Sequence, residues 1–173
     1  TIVYAGCYGG EITRYNVITG EERDVLAYPE MEIGRAPKDM RYRFNWNAPI
    51  RLSPHDPNIL YHCSQFVHKS LNQGQSWENI SPDLSRNEKD KQDYAGSPIT
   101  MENTCVEVYS NILSFEESAQ TPGLLWAGSC DGLVHISRDG GKSWTNITPK
   151  GTPRNGTINI IELSPHDPGR AFV

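Results

Sequence analysis

The sequence predicts an all-β protein in which one four-stranded unit recurs about three times. Apolar or alternating runs of four to six residues are bounded by turn residues, as in 2–5, 58–62 and 133–136, and such runs are typical of short strands. No apolar stripe with helical spacing continues over a dozen residues, so long amphipathic helices are not expected. The 15 Gly and 12 Pro residues supply the turns between the runs.

Internal repeats decide which all-β architecture the chain forms. Three stretches align from Tyr4, Tyr61 and Trp126, and each reads as strand, tight turn, strand, polar turn and strand. A further apolar strand with a Ser-Pro-His-Asp-Pro turn occurs at 50–57 and returns at 161–168. The repeating unit is therefore a four-stranded meander, which is the blade of a β-propeller.

The repeat also predicts how the chain is divided. The predicted segments are blade one at 1–26, an inter-blade loop at 27–47, blade two at 48–82, an inserted loop at 83–104, blade three at 105–149 and the start of blade four at 155–173. The charged inserted loop is expected to lie outside the sheets. Because a propeller closes with about four to eight blades, we expect a segment whose end blades are covered by the rest of its own propeller or by other chains.

The most specific motif is Ser-x-Asp/Asn-x-Gly-x-Ser-Trp, which occurs twice. The Asp or Asn side chain accepts backbone N–H groups across a turn, and the Gly provides a positive φ. The Trp begins the next strand, and we expect it to be largely buried. The motif residues are Ser70, Asn72, Gly74 and Trp77 in the first copy and Ser137, Asp139, Gly141 and Trp144 in the second.

This motif resembles the Asp-box, or BNR repeat, of sialidase-like and sortilin (Vps10)-like β-propellers. The Ser-Pro-His-Asp-Pro turns, the stretch 126–135 and the Trp-x-Asn-Ile-Ser/Thr-Pro endings are similar to those of large secreted bacterial proteins often labelled glycosyl hydrolases. The resemblance covers nearly the whole chain. It implies an extracellular or periplasmic location and boxes on the outer rim, away from a ligand channel. Blade one departs from the pattern, because 15–21 lacks the Gly-x-Ser-Trp end.

Two functions stay open at this point. The first is a binding module that presents loops to a protein, peptide or glycan; the alternative is a glycoside hydrolase with paired carboxylates in a central cleft. Asp131, Glu107 and Asp39, near the inner strand ends, are the candidate catalytic carboxylates, and no local pattern singles one out. A carboxylate pair about 5–10 Å apart with a raised pKa would favour hydrolysis, whereas an aromatic-lined channel would favour binding.

Other function classes lack support in the sequence. The net charge is −5 with no basic run, so nucleic-acid binding is not expected. No apolar run approaches 18 residues, which argues against a membrane span. Gly140–Ser143 mimics the end of a phosphate-binding loop without its upstream Gly. Gly128–Gly132 resembles a nucleophile elbow on Cys130, but no helical pattern follows it.

Cofactors and metals are also not expected. His62, His68 and His135 show no metal-ligand spacing. The four cysteines, Cys7, Cys63, Cys105 and Cys130, are widely spread and contain no Cys-x-x-Cys pair. They are interpreted as small apolar residues, and the sequence does not choose a partner for a disulfide between any two of them.

Overall fold

The computed structural model describes residues 1–30, 32–96, 104, 106 and 108–173. Within them, four antiparallel sheets account for the regular structure, together with three single-turn 3-10 helices at Tyr8–Gly10, Pro37–Asp39 and Lys89–Lys91. The all-β prediction is confirmed. The strands are β1 (Ile2–Gly6), β2 (Ile12–Asn16), β3 (Glu22–Asp24), β4 (Ile50–Leu52), β5 (Leu60–Cys63), β6 (Val67–Ser70), β7 (Glu78–Asn79), β8 (Ile112–Glu117), β9 (Leu125–Ser129), β10 (Val134–Ser137), β11 (Thr145–Asn146), β12 (Glu162–Leu163) and β13 (Ala171–Phe172).

Each sheet is a meander in chain order. Sheet one is β1-β2-β3, sheet two is β4 to β7, sheet three is β8 to β11, and sheet four is β12-β13. In each of the first three sheets, the residue after the last strand donates its backbone N–H to a carbonyl of the neighbouring strand. Val25 donates to Ile12, Ile80 to Val67 and Ile147 to Val134, at 2.8–2.9 Å. These bonds place Val25, Ile80 and Ile147 at equivalent positions.

The core lies between successive sheets. One cluster joins sheets two and three, where the Tyr61 and Phe115 rings lie 5.0 Å apart. A second cluster joins sheets three and four through Trp126, Ile158 and Ile161. Sheets two and three therefore each bury one face against the sheet that follows, and this face-to-face order is how propeller blades pack.

The two box turns have the same hydrogen bonds. In the first, Ser76 N donates to Asn72 Oδ1 at 2.9 Å and Gly74 N donates to Ser70 Oγ at 2.8 Å. In the second, Ser143 N donates to Asp139 Oδ1 and Gly141 N donates to Ser137 Oγ, both at 2.9 Å. Gly74 and Gly141 have φ values of 88° and 98°, which residues other than Gly rarely adopt.

The two box tryptophans connect neighbouring sheets. Trp77 Nε1 donates to the Val25 carbonyl at 3.0 Å, and Trp144 Nε1 donates to the Ile80 carbonyl at 2.8 Å. Both side chains are half-buried rather than largely buried as expected. Each tryptophan directly precedes the last, exposed strand of its sheet and reaches the preceding sheet through its indole N–H.

The inserted loop is anchored by a buried arginine. Arg43 is almost fully buried, and it donates to Ser110 O at 2.9 Å and to Asp83 Oδ2 at 2.8 Å. The described part of the loop, 83–96 and 104, contains the 3-10 turn Lys89–Lys91 and an isolated bridge at residue 95; residues 97–103 lie outside the described part.

The described cysteines are free thiols. Cys7 is exposed, and Cys63 and Cys130 are buried. Burial raises the pKa of the Cys130 thiol to about 11, and its Sγ accepts the backbone N–H of Ser110 at 3.1 Å. Cys105 lies outside the described residues. Cys63 and Cys130 thus serve as small core residues.

Candidate functional site

The hairpins after β1, β5 and β9 lie at the same end of the sheets as the connections between sheets. Arg43 N donates to Gln65 Oε1 at 2.7 Å, and Arg86 N donates to Asp131 Oδ2 at 2.9 Å. We call this the connection end. The box turns lie at the opposite end, where Gln73 N donates to Asn58 O of a Ser-Pro turn. Long, irregular segments therefore gather at one end, which is where a repeat scaffold usually carries its site.

Asp131 lies in the hairpin between β9 and β10 and is fully buried. Its carboxylate accepts Ser129 Oγ at 2.6 Å and Arg86 N at 2.9 Å. Its backbone carbonyl accepts Arg86 Nε at 2.8 Å. Asp131 thus holds the start of the inserted loop against sheet three through its two hydrogen bonds with Arg86. Both of its carboxylate oxygens accept hydrogen bonds from protein donors.

The other two candidate carboxylates are placed differently. Asp39 ends the 3-10 turn Pro37–Asp39 and is exposed. Its backbone carbonyl, rather than its carboxylate, accepts Arg35 Nη2. Glu107 lies outside the described residues. Neither Asp39 nor Asp131 lines the two pockets of the connection end described next.

The larger pocket lies between the β1–β2 hairpin and the connection that follows sheet one. Its volume is about 550 Å³. Apolar and aromatic side chains form most of its wall, together with three glutamates. Its lining residues are Cys7, Tyr8, Gly9, Glu11, Leu26, Tyr28, Pro29, Glu30, Glu32, Ile33 and Thr104.

The smaller pocket lies on the other side of the same hairpin. It has a volume of about 280 Å³ and shares Cys7 and Glu11 with the larger pocket. Trp46 lines it with a side chain that is 53% exposed. The β1–β2 hairpin therefore separates two adjoining pockets and presents Glu11 to both.

Aromatic packing fixes the wall of the larger pocket. The Tyr28 and Tyr42 rings meet edge to face at 5.7 Å. The Arg41 guanidinium lies 4.6 Å from the centre of the Tyr28 ring and 5.3 Å from that of Tyr42. Cation–π contact of this kind restrains both rings. Tyr8, at 53% exposed, offers a further aromatic face to solvent.

Two buried histidines support this wall from behind. His62 stacks on Phe44 at 4.7 Å, and His68 meets Tyr42 at 4.6 Å. Burial lowers the pKa of His62 to about 4, and burial together with the neighbouring His62 lowers that of His68 to about 3. Both imidazoles are therefore neutral at pH 7 and serve as packing groups.

Sequence reasoning missed this pocket because the β1–β2 hairpin matches no known motif. Its signal is the pair Gly9-Gly10, whose φ values are 68° and 75°. A Cβ on Gly10 would lie 2.4 Å from Phe44 Cδ2. The two glycines let the hairpin fold down onto the aromatic wall, which a pattern of alternating residues does not reveal.

Glu30 and Glu32 differ from the exposed acids of this chain. Glu30 pairs with Arg35, and Glu32 is 4% exposed.

In the part of the chain that the structure describes, no group of three or more His, Cys, Asp or Glu side chains is arranged to hold a metal ion. Within the same residues, no helix has the length and apolar character needed to cross a bilayer.

Comparison with known proteins adds the fold context. No protein-family model matches the chain, and no curated protein matches its sequence. Among solved structures, a GH74 enzyme of Niastella koreensis aligns with a TM-score of 0.59 at 15% identity, over 95% of this chain and 22% of that one. GH74 is a β-propeller glycoside hydrolase family.

Two further structures show the same likeness. The GH74 xyloglucanase from Xanthomonas campestris aligns with a TM-score of 0.51 at 20% identity, over 88% of this chain and 22% of that one. The computationally designed Ika4 protein aligns with a TM-score of 0.51 at 13% identity, over 94% of this chain and 74% of that one. The chain thus spans about a fifth of the length of the GH74 enzymes. At these identities the likeness shows the fold alone, and that fold is a succession of β-propeller blades.

Proposed function

We propose that the chain is a segment of a β-propeller module that binds a glycan in the larger pocket of its connection end. The observation that carries this proposal is the pocket wall, in which Tyr8, Tyr28 and Leu26 present apolar and aromatic surface beside Glu11. The C–H face of a sugar ring packs on aromatic side chains, and carboxylates accept its hydroxyl groups. Concave, mostly apolar sites with a few polar groups are typical ligand sites.

The likeness to GH74 enzymes supports a glycan over a protein or peptide ligand, since two of the aligned structures carry that family name and one is a xyloglucanase. Asp131 does not support a catalytic centre, because both carboxylate oxygens accept hydrogen bonds in the protein interior. An aromatic pocket that Asp131 does not line favours binding.

The second candidate function is glycoside hydrolysis. One observation favours it: Glu11, Glu30 and Glu32 line the same pocket. Hydrolysis requires one carboxyl group to protonate the leaving oxygen while a second acts as base or nucleophile. Because Glu30 is paired with Arg35, Glu11 is the residue whose replacement best separates the two functions.

Titration calorimetry with xyloglucan and cello-oligosaccharides tests the proposal. We expect saturable binding that Tyr8→Ala or Tyr28→Ala weakens at least tenfold, a loss of about 1.4 kcal/mol. Tyr15→Ala is the matched control, since Tyr15 is an exposed tyrosine on β2 that does not line the pocket. Binding of none of these sugars, or equal loss in all three variants, would contradict the proposal. Release of reducing ends that Glu11→Gln abolishes would establish hydrolysis instead.

The extracellular or periplasmic location is also a proposal. It rests on the resemblance to secreted box-containing propellers. Fractionation of the native organism with an antibody against this chain tests it, and recovery in the cytoplasmic fraction alone would contradict it.

A further inference from the structure

The two pockets of the connection end meet at one short hairpin. In this β1–β2 hairpin, Cys7 N donates to Glu11 O at 2.9 Å. The side chains of Cys7 and Glu11 are both exposed, and each lines both pockets. The pockets therefore adjoin at the protein surface, and a ligand in one of them reaches the other by passing over the Cys7 thiol and the Glu11 carboxylate.

The smaller pocket has the size of an extension rather than of a complete ligand site. Its volume is about 280 Å³, which lies just below the range of about 300–1,000 Å³ that ligand pockets usually occupy. The larger pocket, at about 550 Å³, lies within that range. Because the two adjoin, the smaller pocket is suited to hold the continuation of a ligand whose first part fills the larger one.

Trp46 gives the smaller pocket a surface that suits a sugar ring. Its side chain is 53% exposed and lines the pocket. Its backbone N–H donates to the Val106 carbonyl at 3.1 Å, which anchors the main chain at this position. Such an indole offers a flat apolar face to the C–H face of a sugar, as Tyr8 and Tyr28 do in the larger pocket.

The charges of the two pockets indicate an uncharged ligand. Glu11, Glu30 and Glu32 line the larger pocket, and none of its described lining residues is Lys, Arg or His. In the smaller pocket, Arg51 is already paired with Glu116 at 2.7 Å. Like charges brought together across an interface repel each other, so a chain of sugar acids would lie against carboxylates and bind poorly.

We propose that the two pockets are successive subsites of one groove, which holds an uncharged oligosaccharide chain that crosses Cys7 and Glu11 and stacks on Trp46. The inference rests on the proposed function, because the larger pocket must hold the first sugar units. It adds that the ligand is a chain of several units and that Trp46 sets the chain length that the protein prefers. A short sugar that occupies the larger pocket alone gains nothing from Trp46.

Titration calorimetry with cellobiose and cellohexaose tests the inference. We expect cellohexaose to bind about tenfold more tightly, because only the longer chain reaches Trp46. Trp46→Ala should remove that advantage and leave the affinity for cellobiose unchanged, whereas Trp46→Phe, which keeps an aromatic ring, should retain most of it. Tyr94→Ala is the matched control and should change neither affinity, since Tyr94 is an exposed aromatic residue that lines neither pocket.

Alkylation of Cys7 by iodoacetamide supplies a second measurement that needs no substitution. The Cys7 thiol is exposed, whereas those of Cys63 and Cys130 are buried, and peptide mass spectrometry assigns the label to each cysteine separately. Saturating cellohexaose should slow the alkylation of Cys7 about fivefold, because a ligand in a pocket of this kind is largely buried with the groups beneath it. Saturating cellobiose should slow it less.

The outcomes separate this inference from the proposed function. Binding of neither sugar would overturn both. Equal affinity for cellobiose and cellohexaose, or an equal loss of both affinities in Trp46→Ala, would overturn the inference and leave the proposed function standing. The same holds if saturating cellohexaose leaves the alkylation of Cys7 unchanged, or if hexagalacturonate, a chain of sugar acids, binds as tightly as cellohexaose.

Discussion

His62 and His68 face each other across β5 and β6 in the interior of sheet two. The chain is too tightly packed there to hydrate a charged imidazole, so burial holds both pKa values well below 6.5. His68 Nε2 lies 2.8 Å from Ser64 Oγ, and His62 Nδ1 lies 2.9 Å from the Pro49 carbonyl. These residues make the interior of sheet two sensitive to protons.

We expect stability to fall as the pH is lowered from 6.5 towards 4. The unfolded chain binds protons first because its histidines titrate near 6.5, while the folded ones stay neutral, so stability is full above pH 6.5. The loss at pH 5 is on the order of 2 kcal/mol per histidine. Urea unfolding at pH 7 and pH 5 measures it. His68→Gln should reduce the loss, and His166→Gln, at an exposed turn, should not. Equal stability at both pH values would contradict this account.

Arg43 is the second residue on which the stability of the protein is expected to depend. Arg43→Met should destabilise the protein by about 3 kcal/mol, because the Asp83 carboxylate and the Ser110 carbonyl lose a buried partner. Arg51→Met is the control. The Arg51–Glu116 pair is partly exposed, with 47% and 32% of the two side chains accessible, and surface pairs contribute about 0–1 kcal/mol. Denaturant unfolding of both variants checks the difference, and similar losses would show that the burial of Arg43 is not what matters.

At the scale of the element, the box turn joins one sheet to the next as well as closing its own hairpin. Its Asp or Asn organises the turn internally, whereas its Gly and Trp contact the preceding sheet. This division explains why the Asp and Asn are interchangeable between the two copies while the Gly and Trp are the same in both.

Gly141→Ala should cost more stability than Gly20→Ala. Both glycines have positive φ, 98° and 72°, so Ala carries a backbone cost of about 1 kcal/mol at either position. Nothing lies within 4 Å of a Cβ on Gly20, whereas one on Gly141 would overlap Ile80, adding about 1–3 kcal/mol. Thermal unfolding of the two variants checks this difference. Equal losses of stability would show that the overlap of the added Cβ with Ile80 does not contribute to the cost.

At the scale of the whole molecule, equivalent positions differ according to whether another sheet packs against them. Tyr61 and Trp126 each have a following sheet against which to pack. Phe172 has the same place in its strand pair but lies in the last sheet. The stabilising value of a residue in this architecture therefore depends on which sheet carries it.

Tyr61→Ala should destabilise the chain by about 3–5 kcal/mol, since it leaves a cavity between sheets two and three. Phe172→Ala should change stability by less than about 0.5 kcal/mol, because most of that ring is already in water. Denaturant unfolding of both variants measures the contrast. A large loss from Phe172→Ala would mean that a partner covers sheet four in solution.

The strands and box turns were predictable because they depend on local chemistry. The alternating runs, the Gly with positive φ and the Asp or Asn acceptor all act within about eight residues of one another. The half-burial of Trp77 and Trp144 was not predicted, because the sequence does not show that each indole bonds a carbonyl more than 50 residues away. The role of Asp131 was equally hidden, since its partner Arg86 lies 45 positions earlier in the chain.

The sequence by itself determined the all-β class, the repeating four-stranded unit and the two box turns, since repeats and turn residues specify structure through neighbouring backbone groups. Only the tertiary structure decided which residues share a pocket. Glu11 and Tyr28 meet at the larger pocket, and Asp131 is withdrawn into the interior. The reason is that the packing of sheet on sheet, and the path of the connections between sheets, depend on contacts between residues far apart in the chain, which no local pattern encodes.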